Sequence, residues 1–124
     1  MGNDRVRMLT DNPVQRSLHE GRAAVGTWLT LCSPAVAEQM AHVGWDWLVV
    51  EVEHSPIGFE TMTNCFRAIQ LGGSVPMARL PWNDTIWIQR TLDAGALGLV
   101  IPMINCRADA EAAVANCKYS PVGQ

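Results

Sequence analysis

Two carboxylates and an imidazole close an otherwise apolar run in Asp46-Trp47-Leu48-Val49-Val50-Glu51-Val52-Glu53-His54-Ser55-Pro56. Apolar side chains drive burial, whereas charged groups resist it unless they are paired, hydrogen-bonded or bound to metal. Residues two apart on a strand share a side, so Glu51 and Glu53 are expected together, roughly 6.5 to 7 Å apart. Such a pair can orient His54, bind a metal or hold metal-bound water, or be neutralised by an arginine in a buried ion-pair network. The imidazole of His54 suits a general base; its plainer role is a structural hydrogen bond to a loop. Arg79 is the only cation between Ser74 and Leu80. Its planar fork fits a carboxylate or an enolate oxygen, and equally the ion pair with Glu51 and Glu53.

Other polar residues read more plainly. Asp93, ahead of Ala94-Gly95, is a helix-end turn residue on its spacing alone, and His42 beside Val43-Gly44 suits a helix C-terminus. His19 reads as solvated. Trp45, Trp47 and Trp87 read as packing, while Trp28 and Trp82 lie near strand ends. Cys32, Cys65, Cys106 and Cys117 form no CxxC pair and no zinc spacing, which points to free thiols in a reducing compartment.

These residues need a scaffold, and 124 residues with 48% hydrophobic content suffice for one domain with a real core. A net charge of −3 with scattered Lys and Arg gives no nucleic-acid footprint. The amino terminus lacks the apolar core of a signal peptide and no run reaches membrane length, so the expectation is cytoplasmic, with no membrane partner.

Residues 1 to about 11 read as a frayed polar segment. A short helix is expected from Asn12-Pro13 to Gly21, then four strands, each followed by a helix. The strands are Ala23 to Leu31, the run from Asp46, Ser74 to Leu80, and Leu97 to Ile104. Ser33-Pro34 opens a helix that Gly44 ends, and a second runs from Phe59 to Gly72-Gly73. A third covers Thr85 to Asp93 and stops at Gly95. The fourth covers Ala108 to Lys118, capped by Asn105 or Asp109. Pro76 suits the start of its strand rather than mid-ladder. Apolar strands joined by helices predict an α/β fold with a parallel sheet, either doubly wound or a (β/α)8 TIM barrel. The turn Thr30-Leu31-Cys32-Ser33-Pro34 has no glycine-rich fingerprint, against a dinucleotide fold. In either architecture the site lies at the strand carboxyl ends, where Trp28, Glu51, Glu53, His54 and Arg79 fall.

Gly26-Thr27-Trp28-Leu29, the run from Asp46 to Pro56, Ala78 to Asp84, Leu92 to Ala96 and Val100 to Ile104 together resemble the metal-dependent class II pyruvate aldolases. The type is that of the 4-hydroxy-2-oxoheptanedioate and 2-dehydro-3-deoxyglucarate aldolases, over nearly all of residues 22 to 123. The resemblance implies a lyase with a TIM-barrel fold, acting as a homo-oligomer on a small 2-oxo acid and an aldehyde. It implies a divalent cation, Mg2+, Mn2+ or Co2+. It makes His54 and Arg79 catalytic, as base and as the cation steadying the pyruvate carboxyl or enolate oxygen. It places Trp28, Glu51, Glu53 and Asp93 near substrate or the groups that hold it, Asp93 reaching a neighbouring subunit's site. Glu51 stands where many members have aspartate, and the direct metal ligands are expected beyond Gln124. The chain therefore reads as four βα units, the amino-terminal half of a barrel over residues 22–124, with residues 1–21 as an extension and short helix. Four units leave two open sheet edges, so a non-catalytic half barrel that dimerises or complements a partner is the alternative. The one lysine, Lys118, lies beyond every strand, which disfavours a Schiff-base aldolase built on these residues.

Overall fold

The computed structural model describes residues 12–123, and the expected frayed segment at 1 to about 11 lies outside them. In chain order the elements are α1 (Pro13–His19), β1 (Gly26–Leu29), α2 (Pro34–Ala41), β2 (Trp47–Glu51) and α3 (Phe59–Leu71). Then follow β3 (Val75–Arg79), α4 (Thr85–Asp93), β4 (Gly98–Val100) and α5 (Arg107–Asn116). Helix starts follow local chemistry. Asn12, Ser33 and Asp84 accept from Gln15, Val36 and Trp87 backbone N–H at 3.1, 3.4 and 3.0 Å, and proline opens α1 and α2. After α2 and α4 the backbone reverses at Gly44 (φ 101°) and Gly95 (φ 113°), left-handed positions that favour glycine.

Three boundaries differ from the sequence expectation. β1 is limited to Gly26–Leu29, because only those residues pair with β2. β4 ends at Val100 rather than Ile104: Pro102 has no N–H for a ladder, and Met103 takes φ 59°, which no strand residue adopts. The N-cap of α5 is Cys106, not Asn105 or Asp109. Asp109 sits in the first turn, where Oδ2 accepts from the backbone N–H of Asn105 at 3.0 Å and of Cys106 at 3.2 Å. Pro76 is the second residue of β3, and its carbonyl accepts from Leu97 N at 2.8 Å. A parallel strand directs N–H and C=O of one residue to the same neighbour, so the missing donor faces β4 before that ladder begins at Met77↔Gly98.

The sheet is wholly parallel, in the order β1-β2-β3-β4. Each right-handed crossover then moves one strand in the same direction and leaves its helix on the same face. That is the winding of a barrel; a doubly wound sheet reverses direction and covers both faces. The core agrees. Leu29, Leu48, Val50, Val52, Ala78 and Leu80 share one cluster with Ala37, Ala41, Met62, Cys65, Phe66, Ile69 and Ile88 from the helices. The alternate strand positions lie outside that cluster and form three cross-strand rows, Gly26–Trp47–Val75, Trp28–Val49–Met77–Gly98 and Glu51–Arg79–Val100. Such rows are how a barrel interior is layered. The four cysteines are unbridged.

Candidate active site

Register sets the centre of the site. Glu51, last in β2, is the Cα partner of Arg79, last in β3. Their side chains leave the same face of the sheet, and Arg79 Nη2 lies 2.6 Å from Glu51 Oε2. Glu51 is 3% exposed, and its other oxygen accepts from the backbone N–H of Glu53 at 2.8 Å and of His54 at 3.1 Å. One carboxylate thus fastens a cation and folds the loop after β2. Burial pushes its pKa up. The Arg79 hydrogen bond, the two backbone donors and the guanidinium charge outweigh this and leave it below the ordinary 4.5.

Glu53 lies past the strand end, in a bend, and still reaches the same arginine: its Oε2 is 3.1 Å from Arg79 Nε. The Nε–H has no hydrogen-bonded acceptor, so this contact is an ion pair without an aligned hydrogen bond. The same Glu53 oxygen is 3.6 Å from His54 Nε2, and the His54 side chain is 69% exposed. The Trp28 ring, its centroid 5.1 Å from Arg79 Cζ, closes the cluster from β1. The Arg79 pKa is raised, first by the Glu51 hydrogen bond, then by the charges of Glu51 and Glu53 against the effect of burial. By formal count, one guanidinium against two carboxylates, these three groups carry one net negative charge. They do not by themselves attract an anion.

Trp28, Glu51, Glu53, His54 and Arg79 are therefore brought together at the strand carboxyl ends. Trp82, in the β3–α4 loop at the same end, is 57% exposed. Asp93 is not part of the cluster. It ends α4, and the chain passes from it through Gly95 into the start of β4, at the amino ends of the strands. There the Tyr119 hydroxyl donates to Asp93 Oδ1. Sequence reasoning missed Tyr119, because nothing local links positions 26 residues apart. It also missed the left-handed backbone of Met103, for which the adjacent Pro102 was the one available cue. His42 caps α2, its Nδ1 2.8 Å from Glu38 O, as its position suggested.

The two acids and His54 have the chemistry of a metal site without its geometry. Among the described residues no group of three His, Cys, Asp or Glu is placed to hold an ion. Glu51 has both oxygens engaged, and one Glu53 oxygen faces Arg79 and His54. The residues present do not fit a divalent cation as a cage.

A singly wound βα sheet with two carboxylates, an imidazole and a guanidinium at its carboxyl ends is the arrangement of half of a βα barrel. Residues 24–124 match the HpcH/HpaI aldolase/citrate lyase family, and the chain belongs to it. A hydroxypyruvate/pyruvate aldolase of Rhizorhabdus wittichii is 40% identical over 112 residues, covering 90% of this chain and 45% of that protein. A 4-hydroxy-2-oxo-heptane-1,7-dioate aldolase of Klebsiella pneumoniae is 38% identical over 113 residues, 91% of this chain and 43% of that one. The crystal structure of a family member from Burkholderia cenocepacia superposes with a TM-score of 0.85 at 34% identity, over 92% of this chain and 47% of the other. The chain spans somewhat under half the length of these relatives.

Proposed function

We propose that this chain supplies the base and the substrate-steadying arginine of an aldolase that reversibly cleaves 4-hydroxy-2-oxo acids into a pyruvate-type 2-oxo acid and an aldehyde. The observation that carries this reading is the Glu51–Arg79–Glu53 cluster beside His54 at the strand carboxyl ends, where barrel enzymes do their chemistry. His54 takes the proton of the 4-hydroxyl. The C3–C4 bond then breaks, the hydroxyl carbon leaves as aldehyde, and the bonding electrons pass to the 2-oxo acid as an enolate, which takes up a proton. Arg79 donates to a carboxylate or enolate oxygen, and Glu51 holds it in that position. Trp28 lies against its guanidinium.

The divalent cation that the resemblance implies, Mg2+, Mn2+ or Co2+, is assigned to residues beyond Gln124. Residues 22–124 form the barrel half and residues 1–21 the extension. The assembly is a cytoplasmic homo-oligomer in which Asp93 serves a neighbouring subunit. No helix among the described residues is long and apolar enough to cross a membrane.

The test is His54→Ala in a polypeptide carrying this chain together with the remaining length of its relatives. Turnover should fall about 10²- to 10⁴-fold, the range of a lost general base, with melting temperature unchanged. Unchanged kinetics would remove His54 from the base role.

A further inference from the structure

Asp93 is an acid in the wrong place for helix stability. A carboxylate in the last turn faces the negative end of the helix dipole, an arrangement that disfavours it. Two contacts nonetheless hold this helix end. Gln70 Nε2, near the end of α3, donates to Gly95 O at 3.2 Å and ties the turn after α4 to the neighbouring helix. Tyr119, beyond α5, sends its hydroxyl to Asp93 Oδ1. Both partners are exposed, Tyr119 by 66%, so the bond serves no core. One carboxylate oxygen is occupied, and the other stays available on a helix end braced from two directions.

We infer that Tyr119 is a positioning residue, fixing the Asp93 carboxylate for action on a second copy of this chain. The inference rests on the proposed role of Asp93 in a neighbouring subunit's site. A tethered carboxylate loses fewer conformers on meeting its target than a free one, so the bond acts on turnover more than on substrate binding. The Tyr119 pKa is raised above its usual 10, first by that bond and also by the Asp93 charge, so the donor keeps its proton at neutral pH.

The experiment is a double-mutant cycle in the oligomeric, full-length polypeptide. Tyr119→Phe keeps the ring at an exposed site and removes only the donor. It should lower kcat about tenfold, less than the hundredfold of an ångström-scale misplacement, with KM within about twofold. Asp93→Asn should lower kcat further, and Tyr119→Phe should then cost nothing more in that background. The inference is overturned if Asp93→Asn slows turnover while Tyr119→Phe does not, or if the two losses multiply. The role of Asp93 itself is checked separately by mixing His54→Ala with Asp93→Asn subunits. Restored activity supports a shared site, whereas unaltered turnover in Asp93→Asn overturns the reading and the inference with it.

Discussion

The sheet has two faces made from the same strands, and they obey opposite rules. On one, Leu48, Val50, Ala78 and Leu80 pack against Met62, Phe66, Ile69 and Ile88, with no charged group in the cluster. On the other, one residue along, Glu51 and Arg79 occupy facing register positions and Trp28 lies over the guanidinium. The first face is held by area removed from water, which is indifferent to detailed geometry provided volume is filled. The second is apolar along Trp28, Val49 and Met77, and at its carboxyl end it is held by charge pairing, in which each group depends on one or two named partners. Stability and chemistry are thereby separated by a single step along each strand. Substitutions on one face should be felt mainly as folding energy, and on the other mainly as rate.

Arg79→Ala in the full-length polypeptide offers the hardest test of that separation. Turnover should drop at least about a hundredfold, as when a donor to developing negative charge is lost, while far-ultraviolet circular dichroism stays native. A variant that unfolds instead would show that the polar face also holds the sheet together. Phe66→Ala tests the opposite face: it should cost about 3 to 5 kcal/mol in denaturant unfolding, the range for a large buried aromatic. A loss under about 1 kcal/mol would mean that the helices close over the gap, and that packing there is not tight.

A smaller effect is expected from pH. The folded pKa of Glu51 lies below its ordinary 4.5, so its contribution to stability is complete above that value. It is lost as pH falls through the folded pKa. Glu51→Gln should therefore flatten the acid limb of the stability profile and leave its alkaline side unaltered; an undiminished acid limb would assign it to other carboxylates. The least effect is expected from metal. Titrating Mn2+ into residues 1–124 alone should give no saturable binding in the micromolar range, because the described acids have no cage geometry. Saturable binding that disappears in Glu53→Gln would place part of a cation site on this face.

Local chemistry made much of this legible. Asn12 and Ser33 announced their helices, and the glycines after α2, α3 and α4 ended them, since caps and reversals depend on a few adjacent residues. The run from Trp47 to Glu51 declared a buried strand, and the position of Glu51, Glu53, His54 and Arg79 at strand ends marked one end of the fold for chemistry. The alternatives that spacing left open were matters of pairing. A single chain cannot say whether Glu51 and Glu53 face a metal or Arg79, because that depends on which residue of β3 lies beside Glu51. Register placed Arg79 beside Glu51. Strand order likewise distinguished barrel winding from double winding, a choice that the βα repeat leaves open. Asp93 shows the limit most plainly: its place at the amino ends of the strands and its bond to Tyr119 arise only when α4 and the segment after α5 meet in space. By itself the sequence determined the elements and the acids, base and cation between them, because these follow from neighbours in the chain. Tertiary structure decided which charges met, because a contact between strands is set by register and not by spacing.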